Sequence, residues 1–136
     1  MQMIIIILGV LCLVFFIENA RELRTFRIRT YRIFSHKLKG IQKKRIVFLS
    51  DLHNCSYGKN NGRLLAAVRR SRPDLILIGG DMLVRKNGTS YAKTLKFLTR
   101  LTAMCPVYYA NGNHEQKLKE EPERYEQSYA AYKKHL

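Results

Sequence analysis

Ile46-Val47-Phe48-Leu49-Ser50-Asp51-Leu52-His53-Asn54 is an apolar run that turns polar within one residue. Its first four residues predict a short buried strand rather than a helix. If the two-residue period of a strand continues, the side chains of Asp51 and His53 leave the same face. A carboxylate and an imidazole held side by side can bind a divalent metal, although the same pair is also compatible with a turn and a surface histidine.

Two similar runs follow further along the chain. Leu75–Ile78 ends in Gly79-Gly80-Asp81, and Pro106–Ala110 ends in Asn111-Gly112-Asn113-His114-Glu115. The run ends at residues 50, 78 and 110 are 28 and 32 residues apart, about one strand–helix–strand unit each. A helical pattern lies in each of the two intervals. The first covers Arg63–Arg72, and the second begins at an N-cap Ser90 and carries Tyr91, Leu95, Leu98 and Leu101 on one face. A third pattern, Glu123–Leu136, follows the last run and has a packing face of Tyr125, Tyr129 and Tyr132.

Strands that alternate with helices predict an α/β fold with a parallel sheet. Open parallel sheets build their sites at the carboxyl ends of the strands, which is where all three runs place polar residues. The glycines at 79, 80 and 112 would let the backbone approach a ligand there. The sequence therefore predicts a single site from residues far apart in the chain: Asp51, His53, Asp81, Asn113 and His114.

Three of these segments resemble the first three motifs of the calcineurin-like metallophosphoesterases: Asp51-Leu52-His53, Gly80-Asp81 and Gly112-Asn113-His114-Glu115, in this order. The apolar and basic residues before them resemble, more narrowly, the bacterial membrane-associated branch of that superfamily. The resemblance implies a metal-dependent hydrolase of phosphomonoesters or phosphodiesters. It also implies the amino-terminal half of a metallophosphoesterase α/β sandwich, preceded by one transmembrane helix.

The same resemblance implies a role for each site residue. Asp51 and His53 would hold a first metal ion. Asp81 would bridge it to a second ion that Asn113 also binds, and His114 would lie near the scissile phosphate as an acid or an electrostatic stabiliser. Two cations about 3.5–4 Å apart neutralise phosphate oxygens and lower the pKa of a bridging water. Oxygen and nitrogen ligands suit manganese, iron or zinc as the two divalent ions, and Glu115 is expected to start a helix or support the site rather than to bind metal.

Some features of the family are missing from this sequence. Met82-Leu83-Val84 stands where the family often has a second Asp, and no Gly-His-x-His pair follows the third motif. Neither His36 nor His135 lies in such a context, so neither is expected to be a ligand. We therefore expect a truncated domain that is inactive by itself and exposes an apolar face of its sheet. The alternative hypothesis is a non-catalytic basic module for membrane surfaces or nucleic acid, in which the motifs are relics.

The amino-terminal run Met3–Ile17 is apolar without interruption. As a helix it would be about 22 Å long, and its flanks could extend it toward the ~30 Å of a hydrocarbon core. The alternatives are a cleaved signal peptide and a buried core element. We favour an uncleaved membrane anchor, because no basic segment precedes the run and residues 18–21 make a poor cleavage site.

The positive charge of the chain is concentrated beside this run. The formal net charge is +15, and residues 18–45 alone hold ten Lys or Arg against two Glu. Alternation over Leu23–Phe34 predicts a basic strand, whose arginines either contact anionic lipid or form a solvated face. Nucleic acid is therefore not the expected partner. The positive-inside rule places the catalytic part in the cytoplasm, with an extracytoplasmic location as the alternative, and a lipid-linked or membrane-adjacent phosphoester is the expected substrate.

Together these patterns divide the chain into three parts. We expect a membrane anchor over residues 1–20, a basic strand and connector over 21–44, and a truncated metallophosphoesterase domain over 45–136. The three cysteines are scattered at positions 12, 55 and 105, so they predict neither a disulfide framework nor a zinc finger.

Overall fold

The computed structural model describes residues 2–22, 24–38, 40, 43–86, 88–125 and 128–134. The chain divides into two compact units, with the boundary between residues 34 and 35. Each unit is described by itself below. His135, for which no metal-binding role was expected, lies outside the described residues.

A single long helix, α1, makes up most of the first unit and spans Gln2–Glu22. Its 21 residues make it about 32 Å long, close to the ~30 Å of a hydrocarbon core. All of its described side chains are exposed, and the helix is long and apolar enough to cross a membrane. The flanking residues thus extend the helix beyond the apolar run itself, as expected.

The predicted basic strand over Leu23–Phe34 is wrong. Residues 24–34 form a turn after α1 and then irregular backbone, and their side chains are exposed except for a half-buried Phe26. Alternation of polar and apolar side chains makes a strand only where a neighbouring strand accepts and donates the backbone hydrogen bonds. The described hydrogen bonds of this segment's backbone run back into the end of α1, from Arg24 N–H to the Arg21 carbonyl and from Thr25 N–H to the Glu22 carbonyl.

The second unit is built on a three-stranded parallel sheet in the order β1-β2-β3. The strands are β1, Ile46–Leu49, β2, Leu75–Ile78, and β3, Val107–Tyr109. Phe48 pairs with Leu77 and Leu77 with Tyr108, so all three strands are in register and end along one edge. The predicted strands and their parallel arrangement are confirmed, but the prediction that β1 is buried is wrong, because its residues are exposed or half-buried.

Within the described part of this unit there are four helices: α2, Gly62–Ser71, α3, Ala92–Thr102, α4, Asn113–Glu120, and α5, Ser128–Lys134. Short 3₁₀ turns lie at His36–Leu38 and Lys59–Asn61. The sequence indicated a helix start near Glu115 but not the extent of α4, because its residues carry the polar third motif and little apolar periodicity. Helix α3 has Tyr91 rather than Ser90 at its N-cap, and the Ser90 hydroxyl accepts a bond of 3.4 Å from Ala92 N–H.

One face of the sheet is buried and the other is open. Ile76 and Ile78 are buried in β2, whereas Ile46, Phe48 and Tyr108 remain 56%, 65% and 66% exposed. Because parallel strands in register point paired residues to the same side, these three exposed side chains share the open face. The exposed apolar face expected from the sequence is therefore present. The buried side chains of the described helices are Leu64, Leu65, Ala67 and Val68 in α2, Thr94, Phe97, Leu98 and Leu101 in α3, Glu115 and Leu118 in α4, and Tyr132 in α5.

Candidate metal centre at the carboxyl edge of the sheet

The loops that follow β1 and β2 run side by side beyond the ends of the strands. Asp51 N–H donates to the Gly80 carbonyl at 3.1 Å, and His53 N–H donates to the Asp81 carbonyl at 2.9 Å. Asn54 N–H continues the series by donating to the Met82 carbonyl at 2.9 Å. The backbone of the first motif is thereby fixed against the backbone of the second, although about 30 residues separate them.

Asp51 and His53 lie next to each other at the exposed tip of the first loop. The Asp51 Oδ1 to His53 Nε2 distance is 3.6 Å, and the two side chains are 66% and 38% exposed. Their φ angles are 58° and 45°, so a left-handed turn rather than a continuing strand brings them together. Leu52 between them is buried at 4% exposure and anchors the turn. The predicted pairing is confirmed, but its predicted backbone is wrong.

Asp81 joins the second motif to the third. Its Oδ1 atom accepts a hydrogen bond of 2.8 Å from His114 N–H, at the second residue of α4. The amino terminus of a helix carries partial positive charge, which favours a carboxylate at this position. Asp81 itself has a φ of 53°, a conformation that aspartate tolerates better than most residues do.

His114 faces the first motif. Its ring centre is 4.8 Å from that of His53, with the ring planes at 70°. The His114 Nδ1 atom accepts a hydrogen bond of 3.0 Å from Arg85 N–H. A neutral imidazole that accepts at Nδ1 carries its proton on Nε2, so the free nitrogen of this ring is a hydrogen-bond donor.

Glu115 is fully buried at 0% exposure, and its carboxylate connects the two loops. Its Oε2 atom accepts from Asp81 N–H at 2.8 Å and from Gly112 N–H at 3.0 Å. Its Oε1 atom accepts from Leu83 N–H and from the Tyr109 hydroxyl, both at 3.0 Å. This agrees with the expectation that Glu115 starts a helix and supports the site, but the sequence did not indicate how many groups it holds.

Glycines at positions 80 and 112 permit a close approach of the second and third loops. Gly80 has a φ of +90°, and a Cβ atom added to it would collide with the backbone of Gly112. A Cβ atom on Gly112 would collide with the carboxylate and backbone of Asp81. These two glycines were expected to let the backbone approach a ligand. In the structure they let the second and third loops pack directly against each other.

Asn113, the predicted ligand of a second ion, is the first residue of α4 and is exposed at the same edge. Over the described residues, no group of three His, Cys, Asp or Glu side chains is arranged to hold a metal ion. The Asp51–His53 pair does fit one, because two ligands of a tetrahedral zinc ion lie about 3.3 Å apart. A small side-chain adjustment from 3.6 Å is therefore enough for this pair to share a cation.

The fold and this edge define an α/β protein with a candidate divalent-metal centre at the carboxyl ends of a parallel sheet. The sequence model of the calcineurin-like phosphoesterase family matches residues 44–136, and the chain belongs to that family. No curated protein and no solved structure matches the chain. The family resemblance and the α/β fold class predicted from the sequence are confirmed.

Proposed function

We propose that this chain is a metal-dependent phosphoesterase that hydrolyses a phosphomonoester or phosphodiester at the carboxyl edge of its sheet. The observation that carries the proposal is the contact between motifs. His53 lies against His114, and His114 N–H binds the carboxylate of Asp81. Three motifs that are far apart in the sequence of a calcineurin-like phosphoesterase thus meet at one exposed position.

The residues of the first two motifs suit a divalent ion. Asp51 and His53 offer an exposed carboxylate and an imidazole nitrogen, and Asp81 retains Oδ2 beside the Oδ1 atom that binds the helix. Manganese, iron and zinc accept such mixed oxygen and nitrogen ligands. Divalent ions bound here would neutralise charge on the phosphate and lower the pKa of an attacking water.

His114 is proposed to act on the substrate rather than to bind metal. Its Nδ1 atom is occupied by Arg85 N–H, which leaves Nε2–H as a donor. A donor cannot coordinate a cation, but it can stabilise a phosphate oxygen or supply a proton to the leaving group. The ring contact with His53 places this donor beside the first motif.

The ligands of the two ions are unequal in number. Asp51, His53 and Asp81 would serve the first ion, whereas Asp81 and Asn113 alone would serve the second. With only two side chains from this chain, the second ion should bind weakly. We therefore propose that the 136-residue chain by itself binds one ion measurably and turns over substrate slowly.

The test is a titration of Mn²⁺ into the detergent-solubilised chain, followed by hydrolysis of a nitrophenyl phosphodiester. Asp51→Asn and His53→Gln should each weaken Mn²⁺ binding by about tenfold or more, because one charge or one ligand is lost. Matched controls are Asp74→Asn, just before the amino end of β2, and the exposed His36→Gln. Both controls should bind Mn²⁺ as the parent chain does.

Two outcomes would contradict this proposal. One is Mn²⁺ binding that the Asp51 and His53 variants leave unchanged. The other is tight binding of two ions per chain, which would show that further ligands have been overlooked.

A membrane location is the second part of the proposal. Helix α1 has the length and composition of a membrane-spanning helix, and the exposed residues that follow it include Arg24, Arg27, Arg29 and Arg32. Arginines at a membrane surface attract anionic lipid by about 1 kcal/mol each and stay on the cytoplasmic side. We propose a single-pass protein with its phosphoesterase part in the cytoplasm, acting on a lipid-linked or membrane-adjacent phosphoester.

Fractionation of cells that express a tagged chain tests the location. The chain should sediment with membranes and resist extraction by carbonate, and removal of residues 2–22 should release it. Recovery in the soluble fraction, or a mature amino terminus beyond residue 22, would rule out the anchor. Protease protection of a carboxyl-terminal tag in intact cells would distinguish the cytoplasmic from the exported orientation.

The exposed arginines also favour a second candidate function, a non-catalytic module that binds anionic membrane surfaces. Such a module would bind anionic vesicles but would show no Mn²⁺ affinity that depends on Asp51 or His53. The metal titration therefore decides between the two candidates.

A further inference from the structure

A chain of two tyrosine hydroxyl groups connects helix α5 with the candidate metal centre. The Tyr132 hydroxyl donates to the Tyr109 hydroxyl at 3.0 Å. The Tyr109 hydroxyl in turn donates to Glu115 Oε1 at 3.0 Å. Tyr132 and Glu115, at the two ends of this chain, are 1% and 0% exposed, and Tyr109 between them is half-buried.

The far end of this chain is the backbone of the metal loop. Glu115 accepts from the N–H group of Asp81, the proposed bridging residue, from Leu83 N–H two residues further on, and from Gly112 N–H in the loop before α4. Four donors and no acceptor surround its two oxygens, the arrangement of an ionised carboxylate. A buried carboxylate remains in place only while its donors do, because each unpaired oxygen would carry the cost of desolvation.

The two phenols are suited to act as permanent donors. Burial raises the pKa of Tyr109 above its ordinary value, and the neighbouring Tyr132 and Glu115 raise it further. Burial also raises the pKa of Tyr132. Both hydroxyls therefore keep their protons over the physiological pH range, so each can donate a hydrogen bond to its acceptor.

We propose that Tyr132, Tyr109 and Glu115 are positioning residues that set the divalent-metal affinity of the site by fixing the loop around Asp81. None of the three needs to touch metal or substrate. The inference rests on the proposed function for its metal readout, and it makes helix α5 part of the site. Loss of either hydroxyl would let the Glu115 carboxylate shift and loosen the backbone on which Asp81 is mounted.

The first experiment measures the loop directly and needs no metal. Amide hydrogen exchange of Asp81, Leu83 and Gly112 is followed by NMR on the full chain in detergent micelles. Tyr109→Phe should reduce the protection of these three amides by about tenfold, the size expected when a carboxylate loses one hydrogen bond. Tyr132→Phe should have a smaller effect in the same direction, because Tyr109 keeps its own bond to Glu115.

The second experiment measures Mn²⁺ affinity of the same variants. Tyr109→Phe should weaken it by about threefold to tenfold, and Glu115→Gln by more, since an amide group brings its own donor against backbone N–H groups. The matched control is Tyr108→Phe, whose side chain is 66% exposed on the open face. A second control is Leu101→Val. Leu101 is fully buried near the end of α3, before β3 begins, so this change should lower the stability of the fold without touching the candidate site.

These readouts separate a positioning role from a merely structural one. If Leu101→Val lowers the melting temperature as much as Tyr109→Phe but leaves Mn²⁺ affinity unchanged, the hydroxyl acts on the site. Unchanged amide protection in Tyr109→Phe would overturn the inference. If the parent chain binds no Mn²⁺, the proposed function fails, while the exchange experiment still decides whether the hydroxyl chain holds the loop.

Discussion

The backbone N–H of His114 donates to Asp81 Oδ1 across 2.8 Å, although the two positions are 33 residues apart in the sequence. This bond places the bridging candidate of the second motif on the amino terminus of the helix that carries the third. The two oxygens of Asp81 therefore differ, since Oδ1 caps a helix and Oδ2 is the atom that we propose binds a cation. Substitutions at these two residues should have different consequences.

Replacing Asp81 by Asn should lower Mn²⁺ affinity by about tenfold or more, because the amide has no charge to attract the cation. An Asn Oδ1 atom can still accept the bond from His114 N–H, so the fold should be kept. His114→Gln should leave Mn²⁺ affinity within about twofold and reduce hydrolysis by roughly 10²–10⁴. Metal analysis beside phosphodiesterase kinetics checks both variants. If the Gln variant loses metal as readily as the Asn variant, His114 is a ligand.

Gly80→Ala should destabilise the second unit by about 2 kcal/mol or more. Its φ of +90° is unfavourable for alanine, and the new Cβ atom would meet the backbone of Gly112. The matched control is Gly62→Ala in α2, where φ is −58° and nothing lies within 4 Å. That control should be neutral or stabilising by up to about 1 kcal/mol. Urea unfolding followed by circular dichroism measures both, and equal effects would show that the two loops are not in close contact.

The open face of the sheet should govern self-association. Phe48→Thr removes a large apolar side chain that is 65% exposed, so it should reduce aggregation of the chain in detergent and change stability by less than about 1 kcal/mol. Ile76→Thr, on the buried face, should cost about 2–4 kcal/mol, because it buries a hydroxyl and leaves a cavity. Light scattering and urea unfolding provide the two measurements. Unchanged aggregation in Phe48→Thr would mean that this face is covered in solution.

The second unit should lose stability in alkali. Burial raises the folded-state pKa of Tyr109 and Tyr132 above the ordinary value of 10.0. For such groups the stabilisation is present below the unfolded-state pKa and is lost as the pH rises beyond it, since only the unfolded chain then releases the protons. Unfolding free energy should therefore fall above about pH 10. The double substitution of both tyrosines by Phe should flatten that fall, whereas Tyr108→Phe should leave its slope unchanged.

Local sequence patterns determined the secondary structure and the edge at which the site lies. The apolar runs Ile46–Leu49 and Leu75–Ile78 are too short for typical helices, so their length indicated strands, and their alternation with helices indicated a parallel sheet. Helix α1 followed in the same way from an uninterrupted apolar run. The basic strand was wrong because an alternating pattern does not reveal whether a neighbouring strand exists to pair with it.

Tertiary structure alone decided how the site is held together. Sequence placed Asp51 and His53 at a strand end, but the left-handed turn that pairs them depends on backbone bonds to the loop after β2. Nothing in the residue types indicated that Gly80 fits against Gly112, or that Glu115 accepts four hydrogen bonds. The reason is physical: a motif specifies side chains that could bind, whereas the geometry of binding is fixed by contacts between segments that the linear order keeps about 30 residues apart.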